Sequence, residues 1–427
     1  MRRESLWIAA GCVLALAGFF PVFSSAASPA SREKVIYSFK GIPDGANPLS
    51  DLIIDSAGNL YGTTANGGSA GPGCFGATCG TVFELKRSAD GWDEEVLYRF
   101  AGGKDGGTPK AGLVFDDSGN LYGTTAQGGD AYRDGTVFRL TPNLRGGWTE
   151  SVIYKFDFYG GSGRNPQSDL IFDAQGNLYG TTPAGATGSC DEGCGAVFKL
   201  TPRSDGSWTE TTIYSFQGPP GGAVPSSGLT LQSGKFYGVT QQGGTGRCAI
   251  FLGCGTAYEL APNSQTGWTE TTVHSFLPGG GSAKYPSGGM LFDNTGRLFG
   301  TSTAGGDGLG TLFQLLRTDK RGWQEKDIHI FYGDPDGQVP LGKLVTDATA
   351  HLYGVTQSDG IFDGFGLVFE LEQSTSRWKE TILHRFRGSP DGSTPAAGLV
   401  FDSQGHLYGS TSAGGSNGFG TVYEIVP

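Results

Sequence analysis

The sequence predicts an all-β fold, a seven-bladed β-propeller with four-stranded blades. Three observations carry this: one motif recurs seven times, each recurrence holds four strand-like segments, and no helical period appears anywhere. The motif is clearest in Gly112-Leu113-Val114-Phe115-Asp116-Asp117-Ser118-Gly119-Asn120-Leu121-Tyr122-Gly123. Its aromatic returns at Tyr61, Tyr122, Tyr179, Tyr237, Phe299, Tyr353 and Tyr408, at spacings of 61, 57, 58, 62, 54 and 55 residues. A period of that length, rich in short strands, marks a propeller or a solenoid, and it overrides the several domains that 427 residues would otherwise suggest.

Within a repeat, Gly112 to Asp116 is a short apolar first strand and Asp117-Ser118-Gly119-Asn120 is turn chemistry. Leu121 to Thr125 then returns as the second strand of a tight hairpin. A Gly-rich loop leads to the third strand, Gly135 to Leu140, and the alternating run Trp148 to Phe156 makes the fourth. Third strands begin at Gly80, Gly135, Gly195, Gly255, Gly310, Gly366 and Gly420, and fourth strands end at Phe39, Phe100, Phe156, Phe216, Phe276, Phe331 and Phe386. The chain therefore starts on a fourth strand, Val35 to Phe39, and stops on a third, Gly420 to Ile425. That phase predicts a ring closed by the N-terminal strand completing the last blade, which removes a free sheet edge. An open solenoid would carry atypical polar caps.

Glycine is abundant at 75 residues but has no three-residue period, and aromatics at 12% supply material for a core. Charged residues are only 17% and the net charge is -11. With no basic run, nucleic acid and anionic membrane are poor partners, because phosphate neutralisation needs clustered Lys and Arg. At the N-terminus, Arg2 and Arg3 precede the apolar run Leu6 to Phe23, and Ser25-Ala26-Ala27 offers small cleavage residues. Residues 1–27 therefore read as a secretory signal peptide and residues 28–427 as a single propeller domain. An uncleaved anchor, or lipidation at Cys12, is the alternative. No second spanning stretch follows, so the mature chain is expected without a membrane span, secreted, periplasmic or at the cell surface, as a monomer.

The pattern Gly-Leu-x-x-Asp-x-x-Gly-Asn-Leu-Tyr-Gly-Thr-Thr, then Gly-Gly, then Gly-Thr-Val-Phe-x-Leu, resembles the GloVer tandem repeats of secreted bacterial proteins over residues 34–427. It is distantly similar to NHL-type blades. The resemblance implies an exported propeller with varied surface anchoring and no inherent activity.

Cys12 leaves with the signal peptide, and the other six cysteines pair by proximity as Cys74/Cys79, Cys190/Cys194 and Cys248/Cys254. An even number in an exported chain predicts disulfides that pin the loops between second and third strands. Zinc is the alternative, but the gaps are unequal and no His lies beside them.

The repeat places the five histidines. His274, His329 and His384 stand where Tyr37, Tyr98, Tyr154 and Tyr214 stand, while His351 and His406 fall at turn positions held elsewhere by Asn59, Asn120 and Asn177. They read as packing and turn residues, not as catalysts or metal ligands. Trp92, Trp148, Trp208, Trp268, Trp323 and Trp378 each open a fourth strand, which again points to packing rather than a carbohydrate platform. The hairpin-turn acids Asp55, Asp116, Asp173, Asp293, Asp347 and Asp402 are expected to bond their own turns.

The candidate ligand or ion residues are Asp44, Asp105, Asp336 and Asp391, in the loops from a fourth strand to the next first strand. They open neighbouring blades of the closed ring and would form an acidic arc on the face of the cysteine loops. Ordinary turn composition is the competing explanation. No cofactor is expected; calcium is the one ion kept open. No nucleophile, base and orienting acid come together as a triad. The expectation is an exported, non-enzymatic binding or scaffold propeller that presents its loop-rich face to a glycan, peptide or cell-surface partner. The alternative is a metal-assisted hydrolase, lyase or lactonase with its site at the channel mouth, by analogy of fold alone.

Overall fold

A computed structural model describes residues 32–427, apart from 72–73, 75–77, 130–132, 158–160, 249–251, 266, 280–281, 307, 319–321, 361–363 and 375–376. The predicted signal peptide, residues 1–27, lies outside the described residues. The described chain is built from strands and turns. Seven antiparallel sheets of four principal strands each form the blades. Blade 2 is typical: Val114–Phe115, Leu121–Thr125, Thr136–Pro142 and Trp148–Lys155 pair in sequence order. The fourth strands of blades 1 to 6 are Gly91–Arg99, Trp148–Lys155, Trp208–Ser215, Gly267–Ser275, Gly322–Ile330 and Trp378–Arg385.

Blade 7 takes its fourth strand from the other end of the chain. Arg32–Ser38 pairs antiparallel with Thr421–Val426, from Arg32 opposite Val426 to Ser38 opposite Thr421. Arg87 of blade 1 reinforces the closure: its guanidinium stacks on Trp92 of its own blade, bonds the Tyr408 hydroxyl of blade 7 and lies 3.4 Å from Asp402. The predicted seven-bladed, N-terminally closed architecture is thus the observed one.

The hairpin acid does what its turn needs. Asp116 Oδ1 accepts the backbone N–H groups of Ser118 and Asn120, and Oδ2 accepts Asn120 Nδ2 and the Tyr122 hydroxyl at 2.7 and 3.0 Å. Because the Tyr122 ring also packs edge-on against Phe172 and Trp208 of the next blade, the turn and the blade contact are fixed together. Trp92, Trp268 and Trp323 make the same contact with Tyr408, Tyr179 and Tyr237 of the preceding blade. Deeper in each joint, the Phe that ends a fourth strand meets the third-strand aromatic of the next blade, as in Phe39 on Phe83, Phe100 on Phe138 and Phe386 on Tyr423, with centroids 5.0–5.1 Å apart. Offset and edge-on pairs of this kind add to the burial of their area.

A second device locks the blades on the loop face. Asn47, Thr108, Asn165, Val224, Tyr285, Val339 and Thr394 adopt a left-handed backbone at one equivalent position, with φ between 54 and 58°. Each sends its N–H to a carbonyl of the preceding blade, for example Thr108 to Cys79, Val224 to Cys194 and Tyr285 to Cys254 at 2.8–2.9 Å. The following Pro then rests on the glycine that opens the preceding third strand: a Cβ on Gly135, itself at φ +99°, would sit 2.7 Å from Pro166 Cδ. This explains why every third strand begins with Gly and every blade carries that Pro.

Candidate ligand-binding cavity

The innermost strands surround a cavity of about 410 Å³ on the ring axis, with all seven blades contributing to its wall. Volumes of this order suit a small ligand. The residue just before the first-strand Leu or Met decides its chemistry. In blades 2, 4, 5 and 7 it is Gly112, Gly228, Gly289 and Gly398; in blades 1, 3 and 6 it is Asp51, Asp169 and Lys343.

Four side-chain-free positions make room for three charged ones. Asp51 Oδ1 accepts the N–H of Gly398 at 2.5 Å, and Asp169 Oδ1 accepts the N–H of Gly112 at 2.6 Å. The two carboxyl groups interact across Gly112, where a Cβ would lie 3.0 Å from Asp169 Oδ1 and 3.1 Å from the Asp51 carbonyl. Both acids keep some solvent contact through the cavity, yet protein surrounds them. Burial, and then the Asp169 charge, push Asp51 up to about 7, against the pull of the Gly398 N–H and Lys343. Burial also raises Asp169, opposed by the Gly112 N–H, Lys343 and the bond from Asp51. Both carboxyl groups are therefore easier to protonate than free ones, with the Lys343 cation beside them. Lys110 adds a second amine, lowered by burial, whose Nζ lies 3.1 Å from Gln167 Oε1. Ser226, Ser227 and Gly228 with Ser287 and Gly288 complete the wall. The arrangement offers donors, acceptors and a poised proton within one enclosure.

The four acids selected from sequence lie elsewhere. Asp44 Oδ2 accepts the Tyr37 hydroxyl and the Lys40 N–H, both at 2.8 Å. Asp105 takes the Tyr98 hydroxyl and the Ala101 N–H at 3.1 and 2.7 Å. Asp391 accepts the Arg387 N–H at 3.0 Å and lies 3.1 Å from His384 Nε2. Asp336 Oδ1 accepts the Tyr332 N–H at 3.2 Å, and its Oδ2 is 3.6 Å from His329 Nε2. Each thus caps its own loop and meets the fourth-strand Tyr or His, at four separate joints between blades. A Glu from the next blade's fourth strand enters each joint. Burial first, then the nearby Asp, pushes Glu94 and Glu150 up to about 7 and Glu380 to about 8.

His274, His329 and His384 pack edge-on against Phe276, Phe331 and Phe386 at 4.5–4.9 Å. His351 Nδ1 sits 2.7 Å from Glu370 and His406 Nδ1 3.2 Å from Glu424, at the turns. The predicted cysteine pairs are disulfides: Cys74–Cys79, Cys190–Cys194 and Cys248–Cys254. Asp51, Asp169 and Lys343 escaped the sequence reading. The available signal was the break in a Gly position of the repeat.

The fold and the cavity define a propeller with a small polar site on its axis. The chain belongs to the Gloeobacter/Verrucomicrobia repeat family, whose model matches residues 22–252 and 250–427. No curated protein matches it in sequence. Among solved structures it is similar to a polysaccharide lyase, a PL25 ulvan lyase, at 12% identity and a TM-score of 0.55, covering 92% of this chain and 95% of that one. It is also similar to a putative 6-phosphogluconolactonase from Bacteroides uniformis, at 12% identity and a TM-score of 0.50, covering 80% of this chain and 88% of that one. At such identity these likenesses establish the fold alone. Among the described residues no helix is long and apolar enough to cross a membrane.

Proposed function

We propose that the protein is an exported binding propeller that takes the end or a short segment of a glycan into its axial cavity. The observation that carries this reading is that Asp51, Asp169 and Lys343 break an otherwise glycine position and point their charges at one enclosure. Polyhydroxylated ligands need paired donors and acceptors, which a carboxyl pair, an ammonium and open backbone groups supply. The three disulfides suit an oxidising compartment, in keeping with the signal-like N-terminus. Exposed Ile42, Leu277, Tyr332, Phe365 and Phe419 all lie in the connections of the same loop face, and they fit the rim of a site that meets a larger partner.

A second reading is favoured by one specific feature. A carboxyl held at about 7 beside a second raised one is suited to general acid–base work, so the same pair would serve a lyase or hydrolase. Immobilised arrays of neutral, uronic and amino oligosaccharides test the binding function, with Asp51→Asn and Lys343→Met alongside the wild type. Binding to one glycan class that falls at least tenfold in the variants supports the assignment; equal binding in the variants, or none in any protein, refutes it. Release of new reducing ends or unsaturated products from the bound glycan separates turnover from binding.

A further inference from the structure

Each joint between blades places a fourth-strand Tyr or His against a fourth-strand Glu of the next blade. Six joints are closed by hydrogen bonds: Tyr37 to Asp44 at 2.8 Å, Tyr98 to Asp105 at 3.1 Å, Tyr154 to Ser162 at 3.0 Å, Tyr214 to Glu270 at 3.4 Å, His274 to Glu325 at 2.8 Å and His384 to Asp391 at 3.1 Å. The joint between blades 5 and 6 departs from this. His329 Nε2 stands 3.6 Å from Asp336 Oδ2 and 3.9 Å from Glu380 Oε2, beyond hydrogen-bond reach of both. His329 Nε2 and Glu380 Oε1 are buried atoms without a hydrogen-bond partner.

We propose that His329, Asp336 and Glu380 bind a divalent transition-metal ion of the zinc class, which pins blade 5 to blade 6. The three ligand atoms lie within 4.8 Å of one another. Metal–ligand bonds of about 2.0–2.2 Å put neighbouring donors of a tetrahedral site about 3.4 Å apart, so the two spacings from His329 Nε2, 3.6 and 3.9 Å, need to close by only a few tenths of an ångström. One imidazole nitrogen with two carboxylate oxygens suits zinc, manganese or cobalt, whereas calcium takes oxygen ligands. The donors are also held in place. The His329 ring packs edge-on to Phe331 at 4.5 Å, and Asp336 is tethered through Oδ1 to the Tyr332 N–H. The nearby cation Arg385 is committed to Asp359 Oδ2 at 3.0 Å and to the Pro335 carbonyl. Glu33, His384 and Asp391 also converge, but His384 Nε2 there already bonds Asp391, so the blade 5–6 joint is the preferred site.

Cobalt(II) titration of the mature, metal-stripped protein tests this by visible absorbance, with zinc competition. The expected result is a ligand-field band that saturates, is displaced by zinc, and accompanies a rise in melting temperature. His329→Tyr should abolish that equivalent, Glu380→Gln should weaken it at least tenfold, and His384→Tyr should leave it intact. Four blades carry Tyr at this position, so His329→Tyr keeps the packing, and the isosteric Glu380→Gln covers a folding failure. Absence of the band in the wild type, or its persistence in both His329→Tyr and Glu380→Gln, would overturn the proposal.

Discussion

Asp51 and Asp169 come from blades 1 and 3, yet both line the axial cavity and interact across blade 2, which places the side-chain-free Gly112 against the Asp169 carboxyl and the Asp51 carbonyl. Each also takes a backbone N–H from the neighbouring blade, Gly398 or Gly112. The two acids therefore join blade 1 to blade 7 and blade 3 to blade 2 at the axis.

The pair makes stability depend on pH in a defined direction. Asp51 ionises at about 7 in the folded protein against 3.8 for a free carboxyl, so the folded state binds more protons between those values. Stability contributed by the bound proton is full below about 4 and is lost as pH rises through 7. Glu94 and Glu150, also pushed to about 7, act in the same direction. Turn acids with lowered values, such as Asp116 and Asp173, weaken the fold only as pH falls below the ordinary carboxylate range. Melting temperature should therefore peak on the acid side of neutrality. Asp51→Asn should flatten the fall, gaining about 2 kcal/mol on the wild type between pH 5 and pH 8. Parallel thermal denaturation of the two proteins measures it.

Val339 carries a β-branched side chain at φ 56°, where two other blades use Asn47 and Asn165. Left-handed backbone is costly for a β-branched residue, and Val339 holds it through its N–H bond to the Leu309 carbonyl at 2.7 Å. Val339→Asn keeps that bond and should stabilise by about 1 kcal/mol, read as an upward shift of the denaturant midpoint.

Ring closure depends on a single strand. Deleting the chain through Phe39 strips Val35, Ile36 and Tyr37 from the last blade and the fully buried Phe39 from its contact with Phe83. The expected loss is on the order of 5 kcal/mol. It would also bare Thr421–Val426 as an edge, so the truncated protein should self-associate, visible by light scattering.

Reduction should act modestly. The bridges span sequence separations of 5, 4 and 6 residues, so each closes a small loop and contributes about 2 kcal/mol in a chain-entropy account. Their loops also hold the next blade through the Cys79, Cys194 and Cys254 carbonyls. Unfolding with and without reductant should show a lower midpoint with the same native β signal before the transition.

The repeat made the architecture readable because the blades state the same local rules: the Gly that opens the third strand and the Phe that ends the fourth in every blade, and the acid of the turn in all but blade 4, where Gln232 stands. The phase of Val35–Phe39 against Gly420–Ile425 even specified closure. The cavity was harder to read because its residues are departures from the repeat. Asp51 and Asp169 are 118 positions apart by number and meet only once three blades are stacked around an axis. Asp44, Asp105, Asp336 and Asp391 drew notice through their shared Asp-Gly context, and the structure places them at four joints between blades, each bonded to its own loop, rather than at the axis. His329 was read as a packing residue in a Tyr position, and its ring does pack on Phe331, while its distance from Asp336 and Glu380 depends on how two blades settle against each other.

The most direct test is to plug the cavity without removing its charged groups. The atoms nearest a Cβ on Gly289 belong to the flexible stem of Lys343, at 3.3–3.5 Å, so Gly289→Phe can fill the axial space while the blades keep their contacts. Wild type and Gly289→Phe should be applied to the same oligosaccharide array, after circular dichroism has shown equal folding. The account predicts glycan binding by the wild type and its loss, by tenfold or more, in the plugged protein. Undiminished binding by Gly289→Phe would place recognition away from the axis and contradict it.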